Sequence, residues 1–156
     1  MSAVLRPMRE DEFPAYLEAT KEQYAADMVE NAGFSPAEAE LKSESDFAAL
    51  FTDGFATDGL FLRIVEHVGA PVGHVLYAER ERFGRRGAFL YDVWIDADCR
   101  GRGLGRRVME LLEEEVRARD LPRIKLNVFG GNVVARGLYR SLGYEERAVF
   151  MEKELP

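Results

Sequence analysis

One short stretch combines bare backbone with positive charge. Residues 98–107 read DCRGRGLGRR: Gly101, Gly103 and Gly105 fall at every second position, with Arg100, Arg102, Arg106 and Arg107 among them. An apolar run precedes the stretch and a helical pattern follows it. A strand entering a glycine-rich turn that opens a helix presents unpaired N–H groups at the positive end of the helix dipole. Glycine keeps side chains out of the way, so phosphate oxygens can reach those amides. Four arginines suit two phosphates better than one. A solvated basic turn is the alternative reading of the same residues.

Other reactive side chains are few. Asp92 is the sole ionisable residue in GAFLYDVWI, where an unpaired carboxylate would be costly, so it acts either as a base or as a hydrogen-bonded structural group. His67 precedes a turn and His74 lies in a strand pattern, with no cysteine or acidic partner at metal-ligand spacing. Both read as strand or turn decoration, and no metal site is expected. Cys99, the single cysteine, excludes an internal disulfide framework and reads as a half-exposed spectator rather than a nucleophile. The patterns GxxxxGK[ST] and GxSxG do not occur, which removes the P-loop and serine-hydrolase readings.

Positioning these residues requires a mixed architecture. Residues 3–9 predict a short strand, and residues 10–51 predict helix broken at 32–36, where Ser35 can cap a helix starting at Pro36. Residues 60–68, 72–83 and 87–96 predict three strands joined by the turns GAPVG and FGRRG. The last is apolar on both parities, as a strand buried on both faces would be. Leu104, Val108, Leu111 and Leu112 mark an amphipathic helix to about Arg119, its outer face paired as Glu113–Arg117 and Glu115–Arg119. Residues 124–129 predict a strand, 133–142 a helix ending at Gly143, and YEERAVFMEKEL a closing strand. The expected class is α/β in the α+β mixed sense, a mostly antiparallel mixed sheet with helices on both faces. The antiparallel meander excludes a doubly wound dinucleotide fold.

Bulk properties bound the rest. A length of 156 residues fits a single domain over 1–156. With net charge −7 and pI near 5.0, general nucleic-acid binding through phosphate neutralisation is not expected. No apolar run approaches a membrane span and the N-terminus carries no secretory pattern, so a cytoplasmic protein without membrane partners is expected.

VWIDADCRGRGLGRRVMELLEEE resembles the signature of the GNAT superfamily of N-acetyltransferases, a buried strand followed by R/Q-x-x-G-x-G/A and a helix, with Arg100, Gly103 and Gly105 at the defining positions. LNVFGGNVVARGLYRSLGY resembles the family's second motif through Asn132, Ala135, Leu138, Tyr139, Leu142, Gly143 and Tyr144, and MEKEL resembles its final strand. The resemblance is detailed over about 60–155. It implies acetyl-CoA as cosubstrate, its pyrophosphate on the amides of Gly101, Arg102, Gly103, Leu104, Gly105 and Arg106 beside Arg100. It also implies a splayed strand pair, with Val93 and Ile95 offering backbone to the pantetheine arm and Trp94 between them.

Acetyl transfer needs a neutral amine, yet an alkylammonium of pKa about 10.4 is neutral in only about one part in a thousand at neutral pH. A base or a desolvating site must make up the difference. In the family, the tyrosine matching Tyr139 reaches the coenzyme sulfur, which implies a proton donor to the leaving thiol; packing on the sheet is the alternative. Asn132 caps its helix, contacts pantetheine, or does both. Two departures weaken transfer of a base. Diamine-type relatives carry a carboxylate where this chain has Tyr91, and ribosomal-protein acetyltransferases carry a Glu where it has Asn127. Strict alternation would put Tyr91 and Asp92 on opposite faces, so both cannot line one cleft.

Residues 10–58 hold thirteen acids against Lys21 and Lys42. In the family this segment walls the acceptor cleft, so the resemblance implies a primary amine on a small cationic molecule or a protein lysine. Solvated acidic helix faces are the plainer reading. Direct attack in a ternary complex is the expected reaction, a homodimer is left open, and an acyl-CoA-binding sensor of the same fold without turnover is the alternative function.

Overall fold

Alternating apolar residues draw the strands into one sheet. The computed structural model describes residues 2–82 and 84–156; Phe83, placed by the sequence at the end of a strand and the start of a turn, lies outside them. Among the described residues the strands are β1 (Ala3–Pro7), β2 (Leu60–His67), β3 (Ala70–Arg82), β4 (Arg85–Ile95) and β5 (Ile124–Leu126), in that spatial order. β1 to β4 pair antiparallel, whereas β5 joins β4 in parallel.

Helices cover both faces. α1 (Phe13–Ala32) and α2 (Pro36–Leu50) pack on one side, where Phe13, Tyr16, Phe47 and Phe51 enclose Leu62, Ile64 and Leu76. Ser35 opens α2 with a reciprocal cap: its Oγ accepts from the Glu38 amide while Glu38 accepts from the Ser35 amide. α3 (Leu104–Ala118) and α4 (Val133–Ser141) cover the opposite face. The α3 stripe is Leu104, Val108, Met109, Leu112 and Val116, buried against Val75, Tyr77 and Leu90. Truncating such a residue to alanine costs about 2–5 kcal/mol.

Three expectations need correction. Glu115 does not pair with Arg119 on a solvated face. It lies at the sheet, where Arg63 Nε donates to it at 3.0 Å and the Tyr77 hydroxyl also donates, while Arg119 stacks over Phe61 with its guanidinium carbon 3.8 Å from the ring centroid. Glu113–Arg117 does form, at 3.7 Å. Strict alternation also fails in β4: Leu76 pairs with Asp92 but Tyr77 pairs with Leu90, leaving Tyr91 as an extra residue. That bulge puts two successive side chains on one face. Tyr91 packs on Phe89 at 4.8 Å, and Asp92 sits opposite Leu76 towards α1.

The closing strand is the third. Residues 144–156 carry no regular structure, and 145–156 are exposed throughout. Arg136 and Arg140 of α4 both donate to Glu146, at 2.9 and 2.5 Å, and hold the chain against α4 rather than beside β5. Strand pattern alone could not register those two anchors.

Candidate active site

The site begins where the sheet opens. β5 pairs with β4 only over Ala88–Ile124, Phe89–Lys125 and Leu90–Leu126 and then ends, whereas β4 continues to Ile95. Residues 91–95 of β4 therefore border a gap on this side, with no strand paired across it among the described residues. Val93, Trp94 and Ile95 lie there as the sequence anticipates, but the Ile95 carbonyl already accepts from Arg100 Nε at 2.7 Å.

At the C-terminal end of β4 the chain makes a 3-10 turn at Ala97–Cys99 and enters the glycine loop. Gly101 has φ +77° and Gly103, the residue capping α3, has φ +82°. Side-chain-bearing residues rarely hold that conformation, which explains glycine here. Among the described residues, the amides of 101–106 donate to no backbone or side-chain acceptor; the first bonded amide of α3 is Arg107, to the Gly103 carbonyl at 3.1 Å. Unbonded N–H groups at a helix N-terminus, here with two more in the loop before it, are groups that can receive an anion.

The arginines divide by role. Arg100 is a brace, its guanidinium carbon 4.3 Å from the Trp94 ring centroid as well as bonded to Ile95. Arg106 donates to Ser141 Oγ and ties α3 to α4. Arg107 lies within 4 Å of Glu110 and Glu114. Arg102, exposed in the loop, has no side-chain partner among the described residues. The Cys99 thiol is pushed up by desolvation and by Asp98, to whose carboxylate it donates, which makes it a poor nucleophile.

Behind the gap lies a cluster that the sequence did not bring together. His74 of β3, for which the sequence pattern predicts only strand decoration, is buried, with Nε2 2.7 Å from Asp92 Oδ2 and 3.4 Å from Thr20 Oγ1. Tyr16 of α1 sets its ring edge-on to the imidazole at 4.7 Å. Burial first, and then the Asp92 charge, push the Tyr16 phenol well above its ordinary value. The Tyr16 hydroxyl is buried without an aligned hydrogen-bond partner among the described residues, whereas Asp92 Oδ2 has His74 Nε2 beside it. A buried hydroxyl in that state is exceptional, and a water or a ligand is one partner that would satisfy it. The signal in the sequence was a buried histidine two positions before Leu76, but its meaning depends on β3–β4 register.

Tyr139 of α4 lies beside this cluster. Its phenol is pushed up to about 12, by burial and then by the charges of Asp92 and Asp27, so it keeps its proton at neutral pH. Asn132 caps α4, its Oδ1 accepting from the Ala135 amide at 3.2 Å. α1 and the segment after β5 close the far side: Tyr24 stacks on Phe129 at 6.3 Å, and the Gly131 amide donates to the Asn31 carbonyl.

A glycine loop opening α3 where the β4–β5 pairing has stopped is the fold arrangement the motifs anticipate. A family model described as Acetyltransferase (GNAT) family matches residues 5–144. The chain belongs to that family. It is 31% identical to the uncharacterized N-acetyltransferase YycN of Bacillus subtilis, over 99% of this chain and 100% of YycN. A second B. subtilis relative, the uncharacterized N-acetyltransferase YdgE, is 28% identical over 99% of both chains. The crystal structure of YycN superposes with a TM-score of 0.92 at 29% identity, covering 99% of each chain. A predicted acetyltransferase from Clostridium acetobutylicum, solved with acetyl-CoA, shares the fold with a TM-score of 0.71 at 16% identity, covering 98% of this chain and 96% of that one. GNAT proteins are acetyl-CoA-dependent acetyltransferases, so the protein is an enzyme of that class. Among the described residues no group of three or more His, Cys, Asp or Glu could hold a metal ion, and no helix is long and apolar enough to cross a membrane.

Proposed function

We propose that residues 1–156 act as one cytoplasmic N-acetyltransferase domain that moves the acetyl group of acetyl-CoA onto a primary amine, by direct attack in a ternary complex. The observation that carries this reading is the β4–β5 gap, bounded at one end by the free amides of 101–106 and at the other by the buried Asp92–His74 pair. These residues fit the coenzyme. The amides of Gly101 to Arg106, with Arg102, hold the pyrophosphate; Val93 and Asn132 border the path of the pantetheine arm. The coenzyme supplies an acetyl thioester.

The chain's own groups then manage protons. Asp92, with His74 against it, takes the proton that the attacking ammonium must lose. The amine nitrogen bonds to the carbonyl carbon as the carbon–sulfur bond breaks, and Tyr139 donates its proton to the departing sulfur. A phenol held protonated to about 12 remains a donor across the working range. Asp27 stands near enough to raise both Tyr139 and Tyr24, which favours a cationic acceptor: a small amine or a protein lysine.

The test is an amine panel with acetyl-CoA and thiol detection. Thiol release with polyamine-like, aminoglycoside-like or lysine-containing acceptors is expected. Coenzyme binding without thiol release from any amine would favour the sensor alternative.

A further inference from the structure

The sheet face that carries Asp92 changes charge along its length. Ala88 and Leu90 of β4 and Ile124 and Leu126 of β5 pack on the α3-side core, so Phe89 and Lys125, which pair between them, point to the α1 side. Phe89 also pairs with Ala78 of β3, and Arg80, two residues on, shares that face. Tyr91 and Asp92 continue the strip towards the gap. The helices α1 and α2 leave it partly open: Tyr91 is 40% exposed, and Phe89, Arg80 and Lys125 are half-buried.

One end of the strip is acidic and the other basic. Arg80 Nε donates to the Tyr91 hydroxyl at 3.1 Å, its guanidinium carbon 5.6 Å from the ring centroid, and its Nη1 donates to the Glu79 carbonyl at 3.2 Å. Nη2 has no partner among the described residues. Lys125 Nζ donates to the Arg85 carbonyl at 3.2 Å. Neither cation has a carboxylate within 4 Å among the described residues. Glu79 and Glu81 alternate to the α3 side, where Glu79 pairs with Arg86 at 2.9 Å. A guanidinium braced in this way keeps N–H groups ready for an incoming carboxylate.

We propose that Arg80 and Lys125 form an anion subsite for the acceptor, which joins its primary amine to a carboxylate about 8–13 Å away. Four residues of β3 separate Leu76, opposite Asp92, from Arg80, about 13 Å at the strand rise, and the lean of Arg80 towards Tyr91 shortens the span. Resting on the acetyl transfer proposed above, the subsite fixes the acceptor at both ends: amine at Asp92, carboxylate at Arg80 and Lys125. Phe89 and Tyr91, packed at 4.8 Å, floor the apolar stretch between them.

The experiment uses matched acceptors with the same amine. Nα-acetyllysine is compared with its carboxamide, and a capped peptide with lysine two positions before glutamate is compared with its glutamine counterpart. Binding is read by saturation-transfer NMR with coenzyme A, which carries no acetyl group, and kcat/KM by thiol release with acetyl-CoA. The carboxylate member of one pair should be preferred by about tenfold in both readouts, and the pair that shows it tells a small acceptor from a peptide. Arg80→Gln with Lys125→Gln should bring that ratio to about one, while Arg80→Lys keeps most of it. A merely structural loss would lower both members alike and leave the ratio standing. Equal binding within both pairs, no binding by either, or a preference that survives the double substitution overturns the subsite. Turnover of both members at a ratio near one leaves acetyl transfer intact and removes only the subsite. Preferred carboxylate binding without thiol release keeps the subsite and removes the transfer.

Discussion

The two ends of the β4–β5 gap are built differently. The end proposed for the coenzyme is backbone, six consecutive unbonded amides in a loop where two glycines hold positive φ. The end proposed for the acceptor is side chain, with Tyr16 and Thr20 from α1, His74 from β3 and Asp92 from β4, residues up to 76 positions apart that meet only after the sheet registers. A backbone site tolerates changes in neighbouring side chains but not in φ. A side-chain site tolerates backbone changes but not loss of a single group. Substitutions should therefore fail in opposite ways at the two ends.

The largest effect is expected at Gly103. A valine there must hold φ +82°, a strain of about 1–3 kcal/mol for a β-branched residue, or else swing the amides away from the phosphates. Coenzyme affinity should fall by roughly 10³-fold, with the fold intact because the loop is exposed. Calorimetric titration with acetyl-CoA checks it, and unchanged affinity would remove the loop from the coenzyme site.

At the other end, Asp92→Asn keeps the shape and removes the charge. The expected outcome is the reverse pattern: coenzyme affinity unchanged and kcat/KM for the amine lower by about 10²-fold. A loss of melting temperature with no change in turnover would instead identify Asp92 as structural, the partner that keeps His74 in place.

Tyr139 links the two ends, since it sits on α4, which Arg106 ties to the start of α3, and feels the charge of Asp92. Tyr139→Phe keeps the ring that packs near Tyr144 and should slow the chemical step by roughly 10-fold to 10³-fold. The pH profile gives an independent reading. A phenol whose pKa is raised to about 12 loses its proton later than an ordinary one, so no alkaline fall in kcat attributable to this group should occur below about pH 10. A decline centred near 9 that disappears in Tyr139→Phe would show that the phenol is not held as high as its surroundings imply.

The same contrast explains what could be read in advance. The cradle was legible because its parts are neighbours in sequence: Gly101, Gly103 and Gly105 and the start of α3 declare their geometry together. The strands and both helix layers followed from periodicity, and Ser35 from its capping box. The acceptor cluster was not legible, because His74 faces Asp92 only through the β3–β4 register and Tyr91 shares a face with Asp92 only through a bulge. Neither register nor a bulge has a local signature. The closing strand failed for a related reason. Its pattern was strand-like, but strand formation needs an edge, and Glu146 is bound to Arg136 and Arg140 on a path away from the nearest one.

The smallest expected effect sharpens the acceptor end, and it separates acids that the sequence treated alike. Glu22, Asp27 and Glu30 all lie on α1 and all contribute to the negative segment. In the structure Glu22 lines the outer groove between α1 and α2 with Glu18, Glu40 and Glu44, and Glu30 is exposed. Asp27 alone of the three stands where its charge raises the Tyr139 and Tyr24 phenols, with its Oδ1 accepting from Asn31 at 2.6 Å. If the carboxylates raise the local concentration of a cationic amine, the benefit comes from the charge facing the gap, and salt should weaken it over a screening length of about 8–10 Å. Asp27→Asn should then raise the acceptor KM roughly three- to fivefold at low salt, the scale of one partly screened charge, while kcat holds. Glu22→Gln should change KM by less than about twofold, because its carboxylate lines the outer α1–α2 groove, where solvent and salt screen it. Raising the ionic strength should shrink the Asp27 effect and leave the Glu22 variant indistinguishable from the unmodified enzyme. Equal effects from the two variants would mean that the segment attracts cations as a diffuse field, and an anionic acceptor used efficiently at any salt concentration would mean that its charge has no part in choosing the amine.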